Sequence, residues 1–419
     1  MLVFKFGGAS VKDAQGVINL GKVVTSYAGN QILVVVSAMG KTTNALEQLT
    51  DAYVNGTDDM HEIFEEIKQY HYQILHELFG EAHPAVFDEV ANTFVEIDWM
   101  IEDEPHDDYD FIYDQIVSVG ELVSTRIVNA WFNHKGITSK WLDVRSYIHT
   151  DNTYREGVVD WDKTRESIQK GIPAMLSNSI VVTQGFLGGT SENFTTTLGR
   201  EGSDYTASII AASLGAESVT TWKDVSGILN ADPKHFADTI KFDELSYQEA
   251  IEMTYYGASV IHPKTIKPLQ NAKIPLLVKP FNDPAAPGTV IKEGAVNKFD
   301  KPVIIVKQNQ VLLSISATDY SFISEIHLSE IFGLFASTQV KVNMMQTSAL
   351  SFTACIDFNA ERFAKLLSSL KGPFKVKYND GLTLITLRHY TDAALAELTE
   401  GKTVLLKQTN RNTAQVVLK

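Results

Sequence analysis

Met1-Leu2-Val3-Phe4-Lys5-Phe6-Gly7-Gly8-Ala9-Ser10-Val11 opens the chain, a helical pattern covers Ala14–Tyr27, and Gln31-Ile32-Leu33-Val34-Val35-Val36-Ser37 follows. An apolar run, a glycine turn, an amphipathic stretch and a second β-branched run form the pattern of a βαβ unit with both strands buried. The alternation recurs along the chain. Ser139–Asp143, Ser179–Gln184, Ser218–Lys223 and Ile274–Phe281 read as further strands, with helices over Asn44–Val54, Leu122–His134 and Asp204–Leu214. This order predicts an α/β fold, a mainly parallel sheet sandwiched by helices.

Composition bounds the function. The 419 residues, 44% apolar and 21% charged, suit a globular protein of two to three domains. A net charge of −15, from 36 basic and 51 acidic residues, argues against nucleic-acid or anionic-membrane partners. That charge is local: Asp51 to Asp114 holds 19 acids against Lys68 alone, leaving 35 bases and 32 acids elsewhere. Helical spacing of Ile63, Ile67, Tyr70, Ile74 and Leu78, with breaks at Pro84 and near Pro105, makes residues 51–115 an acidic helical excursion. Its charge reads as solvated surface; its two ends, next to the Ser37–Asn44 loop and Glu121, also suit a mobile flap. A single cysteine, Cys355, precludes an intramolecular disulfide, and the N-terminus lacks a signal-peptide layout, so a cytoplasmic location is expected.

A turn-rich junction from Asn282 to Gly288, polar as far as Pro302, separates residues 1–295 from 300–419. Beyond it, strands at Val311–Ser316, Val340–Gln346, Ser351–Asp357, Lys375–Asn379, Leu382–Arg388, Val404–Gln408 and Ala414–Leu418 interleave with helices over Ser321–Ser337, Glu361–Leu370 and from Ala393. They read as two small α+β modules in tandem.

Four runs carry chemistry. Lys5-Phe6-Gly7-Gly8 places two glycines and a lysine at a strand end, where backbone N–H groups approach an anion closely, although a plain tight turn has the same sequence. Ser37, Thr42, Thr43 and Asn44 gather hydroxyl and amide groups at the next strand end, as ligand groups or as helix caps. Gly40-Lys41-Thr42 is no Walker A loop, because the glycine that pattern requires is Val35, inside the strand. Thr195-Thr196-Thr197-Leu198-Gly199-Arg200-Glu201-Gly202-Ser203-Asp204 is the most informative: Arg200 can clamp a carboxylate or phosphate, and a helix N-terminus follows. Trp222-Lys223-Asp224-Val225-Ser226-Gly227 lies at another strand end, followed by Asn230-Ala231-Asp232-Pro233, and Val119-Gly120-Glu121-Leu122 places a carboxylate at an expected helix start.

Taken together, these runs and Gly257–Pro263 resemble the amino acid kinase superfamily and, within it, the aspartate kinases, over essentially the whole chain. The resemblance implies a catalytic domain over 1–295 and two ACT-like (ferredoxin-like) modules over 300–419. It implies transfer of the ATP γ-phosphoryl group to the side-chain carboxylate of L-aspartate, giving 4-phospho-L-aspartate, the first step of lysine, threonine and methionine biosynthesis. By the same resemblance Lys5, Gly7, Gly8 and Ser10 would meet the phosphates, and Asp204 would orient Lys5 or help organise Mg²⁺. Arg200 and Glu121 would hold the α-carboxylate and α-amino group of aspartate, assisted by Thr43 and Ser203. Lys223, Asp224, Gly227, Asp232, Lys234 and Ser259 would line the nucleotide pocket. A carboxylate with a reference pKa of ~3.9 is already ionised at neutral pH, which fits the lack of any paired general base in the motifs. Alternatives are another amino acid kinase, for glutamate or acetylglutamate, and an inactive ACT-type amino-acid sensor.

The chain departs from the family pattern at several positions. Ala9 stands where relatives commonly have Thr, and Ser259 replaces a lysine directed at the nucleotide, a charge that Lys223 is expected to restore. Asn343 and Ala349 replace an Asp and a Glu of lysine-inhibited relatives, so weak or absent lysine feedback is expected. Met344-Met345 reads as core packing. The resemblance further implies a homodimer through the ACT-like modules, and with the second module at the end of the sequence the homoserine dehydrogenase fused to some relatives is not expected.

Overall fold

The computed structural model describes residues 1–80, 83–258, 261–295, 299, 301–319 and 321–419. The chain divides into two compact units. Residues 1–228, 241–251 and 260–297 make the first; residues 229–240, 252–259 and 298–419 make the second.

In the first unit β1 (Leu2–Phe6), α1 (Ala14–Thr25) and β2 (Ile32–Val36) form the expected βαβ unit. Then come α2 (Thr42–Asn55), α3 (Met60–Phe79), α4 (Pro84–Glu102), α5 (Tyr109–His134), β3 (Ser139–Leu142), α6 (Trp161–Leu176) and β4 (Ile180–Gln184). A hairpin of β5 (Leu187–Gly189) and β6 (Thr195–Thr197) leads into α7 (Gly202–Leu214) and β7 (Ser218–Lys223). The last elements are β8 (Glu244–Ser246), α8 (Tyr247–Tyr256, shared with the second unit), α9 (Pro263–Ala272), β9 (Leu276–Pro280) and β10 (Thr289–Lys292). The eight-stranded sheet runs β3-β4-β2-β1-β7-β9-β10-β8, parallel except for the β9–β10 pair. Every residue of β1 and β2 is buried, as continuous apolar runs require when helices cover both faces. Behind β1, Phe4, Phe6, Trp222 and Phe281 pack as an aromatic cluster.

The acidic segment is part of this packing. α3 and α4 turn their carboxylates outward, while Phe64, Ile67, Ile74, Leu75, Val90, Phe94 and Ile97 join the same core as Phe4 and Val34. Tyr70 donates its hydroxyl to Lys12 O at 2.5 Å, which ties α3 to the segment after β1.

One helix boundary differs from expectation. Gly120-Glu121 lies in the middle of α5, not at a helix start, because apolar spacing continues upstream through Ile112, Tyr113, Ile116 and Val117. Gly120 serves a close approach instead. A β-carbon there would lie 2.9 Å from Leu46 Cδ1 and 3.1 Å from Thr42 Cγ2, so glycine lets α5 pack tightly on α2.

The second unit contains β11 (Val303–Ala317), α10 (Glu325–Ser337), β12 (Val342–Thr347), β13 (Phe352–Asp357), α11 (Ala360–Leu370), β14 (Phe374–Arg388), α12 (Asp392–Thr399), β15 (Val404–Thr409) and β16 (Thr413–Leu418). Its antiparallel sheet runs β12-β13-β11-β14-β16-β15. The two modules are nested, not in tandem. Ile304 and Val306 pack with Ile385, Leu387, Leu395 and Val416, whereas Val311, Leu313 and Ile315 of the same strand pack with Ile331, Phe352 and Leu366. Register shifts between Lys307 and Leu312 switch which residues of β11 pack in these two clusters, the half-buried Ile304 and Val306 before and Val311, Leu313 and Ile315 after, as a β-bulge does. Met344 is core, but Met345 is 49% exposed, since neighbours on a strand face opposite ways.

Candidate active site

The C-terminal ends of β1, β2, β4 and β7 lie side by side in the parallel sheet, the place where such sheets bind ligands. Lys5 is the fourth residue of β1 and is buried. Its Nζ sits 2.8 Å from Asp204 Oδ2, in the first turn of α7. Thr221 donates its hydroxyl to Asp204 Oδ1 at 3.1 Å. Burial pushes the Asp204 carboxyl up, but the charges of Lys5 and Lys223 prevail and hold it below the usual carboxylate range.

Past β1, the Gly7-Gly8 turn lies against the loop after β2. Gly40 N donates to Gly8 O at 3.0 Å, and Ser37 N donates to Phe6 O at 3.0 Å. A β-carbon on Gly8 would sit 2.6 Å from Ala38 O and 2.9 Å from Gly40 O, both backbone atoms that cannot swing away. Gly8 is thus required for the two loops to meet. Ser10 is buried beside them, 3.5 Å from Trp222 O. Thr43 is half-buried in the first turn of α2.

Glu121, on α5, completes the cluster. Ser203 donates to its Oε1 at 3.3 Å, and Oε2 is buried without a hydrogen-bond partner. Burial pushes Glu121 up to about 8; the Ala38 amide dipole, the Lys5 charge and the Ser203 hydroxyl pull the other way and do not prevail. A buried carboxyl so raised, at a strand end beside Lys5, is the kind of perturbed group that marks a candidate binding site. Arg200 is exposed in the turn between Gly199, with φ of 77°, and Glu201, with φ of 56°.

Lys5, Gly7, Gly8, Ser10, Glu121, Ser203, Asp204 and Lys223 therefore meet around the strand ends, with Thr43 at the start of α2 and Arg200 in the turn before α7. Asp224 is exposed just past β7, and Gly227, with φ of 144°, is buried against Thr289 and Lys241. Asp232 and Lys234 belong to the second unit and are exposed, and Ser259 lies outside the described residues. Thr221 and Gly185 were not anticipated. Thr221 is the register partner of Lys5 across β1 and β7, visible only once strands are paired. Gly185 follows β4, and a β-carbon there would lie 2.3 Å from Ser203 Cβ, so it admits the start of α7. Among the described residues no three His, Cys, Asp or Glu side chains gather as metal ligands, and none of the helices is long and apolar enough to cross a membrane.

Known proteins share both sequence and architecture with this chain. Residues 1–280 match the model of the amino acid kinase family. The lysine-sensitive aspartokinase 3 of Escherichia coli (strain K12) is 31% identical over 399 residues, a match covering 92% of this chain and 86% of that protein. A chloroplastic aspartokinase 3 of Arabidopsis thaliana is 33% identical over 370 residues, covering 85% of this chain and 64% of that protein. The crystal structure of E. coli aspartokinase III with aspartate and ADP, an R-state, superposes with a TM-score of 0.83 at 28% identity, covering all of this chain and 96% of the other. Its T-state complex with lysine and aspartate gives 0.81, likewise at 28% identity, covering all of this chain and 95% of the other. The chain belongs to the amino acid kinase family and, within it, to the aspartokinases.

Proposed function

We propose that this protein phosphorylates the side-chain carboxylate of L-aspartate with ATP, giving 4-phospho-L-aspartate and ADP, the step that opens lysine, threonine and methionine biosynthesis. The observation that carries this reading is the buried Lys5–Asp204 ion pair set beside the neutral, half-satisfied Glu121 at the ends of parallel strands. One side of the cluster suits transferring phosphoryl oxygens and the other an ammonium group.

Lys5 and the backbone N–H groups of Gly7 and Gly8 neutralise charge on the phosphoryl group, the main work of such a transfer. Asp204 keeps Lys5 charged and aimed. Arg200 takes the α-carboxylate of aspartate, Glu121 takes its ammonium, and Ser203 and Thr43 supply hydroxyls. The incoming carboxylate is an ionised nucleophile, so no side chain has to remove a proton. Magnesium supplies further neutralisation of the phosphates. Both Asp204 oxygens are engaged by Lys5 and Thr221, and among the described residues no acidic cage stands by, which fits a metal arriving as MgATP and held chiefly by phosphate and water.

Residues 1–295 serve as the catalytic domain and 300–419 as the regulatory pair of ACT-like modules. Lys223, already acting on Asp204, replaces the nucleotide-directed charge absent at position 259. Lys223→Ala is expected to raise the KM for ATP about tenfold, the effect of one lost charge-assisted contact, in steady-state kinetics. An unchanged KM would remove Lys223 from the pocket.

Feedback by lysine is expected to be weak. Asn343 accepts from Lys307 Nζ at 2.9 Å and donates to Gln310 Oε1 at 2.9 Å, so its amide is already satisfied within the sheet. Titration of the activity with lysine checks this, and micromolar inhibition by lysine alone would contradict it. A homodimer through the ACT-like modules and a cytoplasmic location complete the proposal; the lone Cys355, buried and free, suits a reducing compartment.

The deciding assay is trapping of the acyl phosphate as a hydroxamate with MgATP and aspartate, run beside glutamate and acetylglutamate. Product from aspartate alone is the expected result. No product from any of them would favour an amino-acid sensor.

A further inference from the structure

We infer that Asp114 is a positioning residue for the amino-acid substrate: from α5 it holds β6 and the 153–157 turn in the arrangement that presents Arg200 and Ser203 to Glu121. The inference rests on the reading of Arg200 and Glu121 as the aspartate-binding pair.

Asp114 is fully buried. Its Oδ2 accepts the backbone N–H groups of Arg155 at 2.8 Å and of Thr197 at 2.9 Å, and its Oδ1 accepts the Thr197 hydroxyl at 2.7 Å. Gly157 N in turn donates to Thr197 O at 2.8 Å. One carboxylate therefore ties three segments together: a helix, a hairpin strand and a turn.

What it ties is the approach to the substrate loop. Thr197 is the last residue of β6, three residues before Arg200. The turn lies against that loop, since a β-carbon on Gly199 would sit 3.3 Å from Arg155 O. Arg155 itself adopts a left-handed φ of 66°, uncommon for a residue other than glycine, and Asp114 is the group that receives its N–H. Asp114 and Glu121 are separated by two helical turns on one face of α5. The same helix thus carries the group for the substrate ammonium and the anchor of the loop for its α-carboxylate. A buried carboxylate is costly unless its hydrogen bonds fix something, and here they fix backbone at the edge of the site.

Its ionisation matters to that role. Burial pushes Asp114 up to about 6 against the pull of the Arg155 and Thr197 amides, the Thr197 hydroxyl and the Arg155 charge. The ionisable groups around it are the Arg155 guanidinium, which also meets Asp110 at 3.3 Å and Glu47 at 3.8 Å, and the phenols of Tyr113 and Tyr154. Below about pH 6 a proton occupies one acceptor position, and the loop is held less firmly.

Asp114→Asn in the full chain tests this. The KM for aspartate is expected to rise about tenfold or more, with kcat and the KM for ATP within about twofold of wild type, since one charge-assisted anchor is lost and the nucleotide side is untouched. In wild type, kcat/KM for aspartate should steepen below about pH 6, and that component should be absent in the variant. Thr197→Val, which keeps the amide and removes the hydroxyl, should give a smaller shift of the same kind; it carries the test if Asp114→Asn does not fold. Equal rises in both KM values, or a fall in kcat with both unchanged, would make Asp114 merely structural. Wild type that forms no acyl phosphate from aspartate would instead overturn the substrate reading, and this inference with it.

Discussion

Replacing Lys5 by methionine, which preserves the stem and removes the charge, is expected to lower kcat for acyl-phosphate formation on the order of 1,000-fold, the scale of losing one donor to a developing charge. The KM for aspartate should rise far less than kcat falls, because the proposal assigns Lys5 to the phosphates and only its charge reaches Glu121. Stability should fall as well. Asp204 would be left buried with only Thr221 and the more distant Lys223, and removing one partner of a buried ion pair costs about 3–5 kcal/mol. The pH dependence gives a second readout. In wild type Asp204 is held below its ordinary value of 3.8, so it contributes stability at neutral pH that is lost as pH falls through the depressed value. Without Lys5, burial becomes the stronger influence and this contribution shrinks or reverses. Hydroxamate kinetics and urea denaturation at several pH values check both, and a variant retaining wild-type kcat would remove Lys5 from the chemistry.

Glu121→Gln is expected to separate binding from folding. The carboxyl, raised from 4.5 to about 8, is neutral at pH 7 in the empty site, yet an aspartate ammonium needs it ionised. Wild-type KM for aspartate should therefore fall by up to about tenfold per pH unit as pH rises towards 8, then level off. In the glutamine variant this component should vanish, and above pH 8 its KM should exceed that of wild type by roughly 10–100-fold, the worth of a hydrogen bond to a charged group. Folding moves the other way. A carboxyl raised by burial makes wild type lose stability as pH climbs from 4.5 to about 8, since the unfolded chain ionises first. Glutamine has no proton to lose, so the variant should gain stability relative to wild type over that window. A pH-independent difference between the two in denaturation would show that Glu121 is ionised already.

Much of the site was legible before the fold. Lys5, Gly7, Gly8, Arg200, Ser203 and Asp204 lie in two short runs at strand ends; the first alone also reads as a plain tight turn, and it is the pairing of the two runs that points to a ligand. Glu121 was found only through resemblance; its own surroundings suggested a helix start, and α5 proved to pass straight through it. The reason is that the value of Glu121 comes from what surrounds it in space. Its burial and its neighbours Ser203 and Lys5 come from elements remote in the chain.

Local order, by contrast, determined the first βαβ unit: apolar runs of strand length, the Gly-Gly turn and an amphipathic stretch between them state their structure with neighbours only. The same holds for the acid-rich helices, whose apolar spacing names the buried face. Tertiary structure alone decided the rest. Thr221 reaches Asp204 because β7 pairs with β1 in one register, and Asp114 matters because a hairpin strand and a turn arrive at one carboxylate. The nesting of the two modules follows from a bulge that shifts the alternation along β11, a feature set by pairing with β14. Periodicity along a chain records which way a side chain faces, and only the folded sheet decides what it meets there.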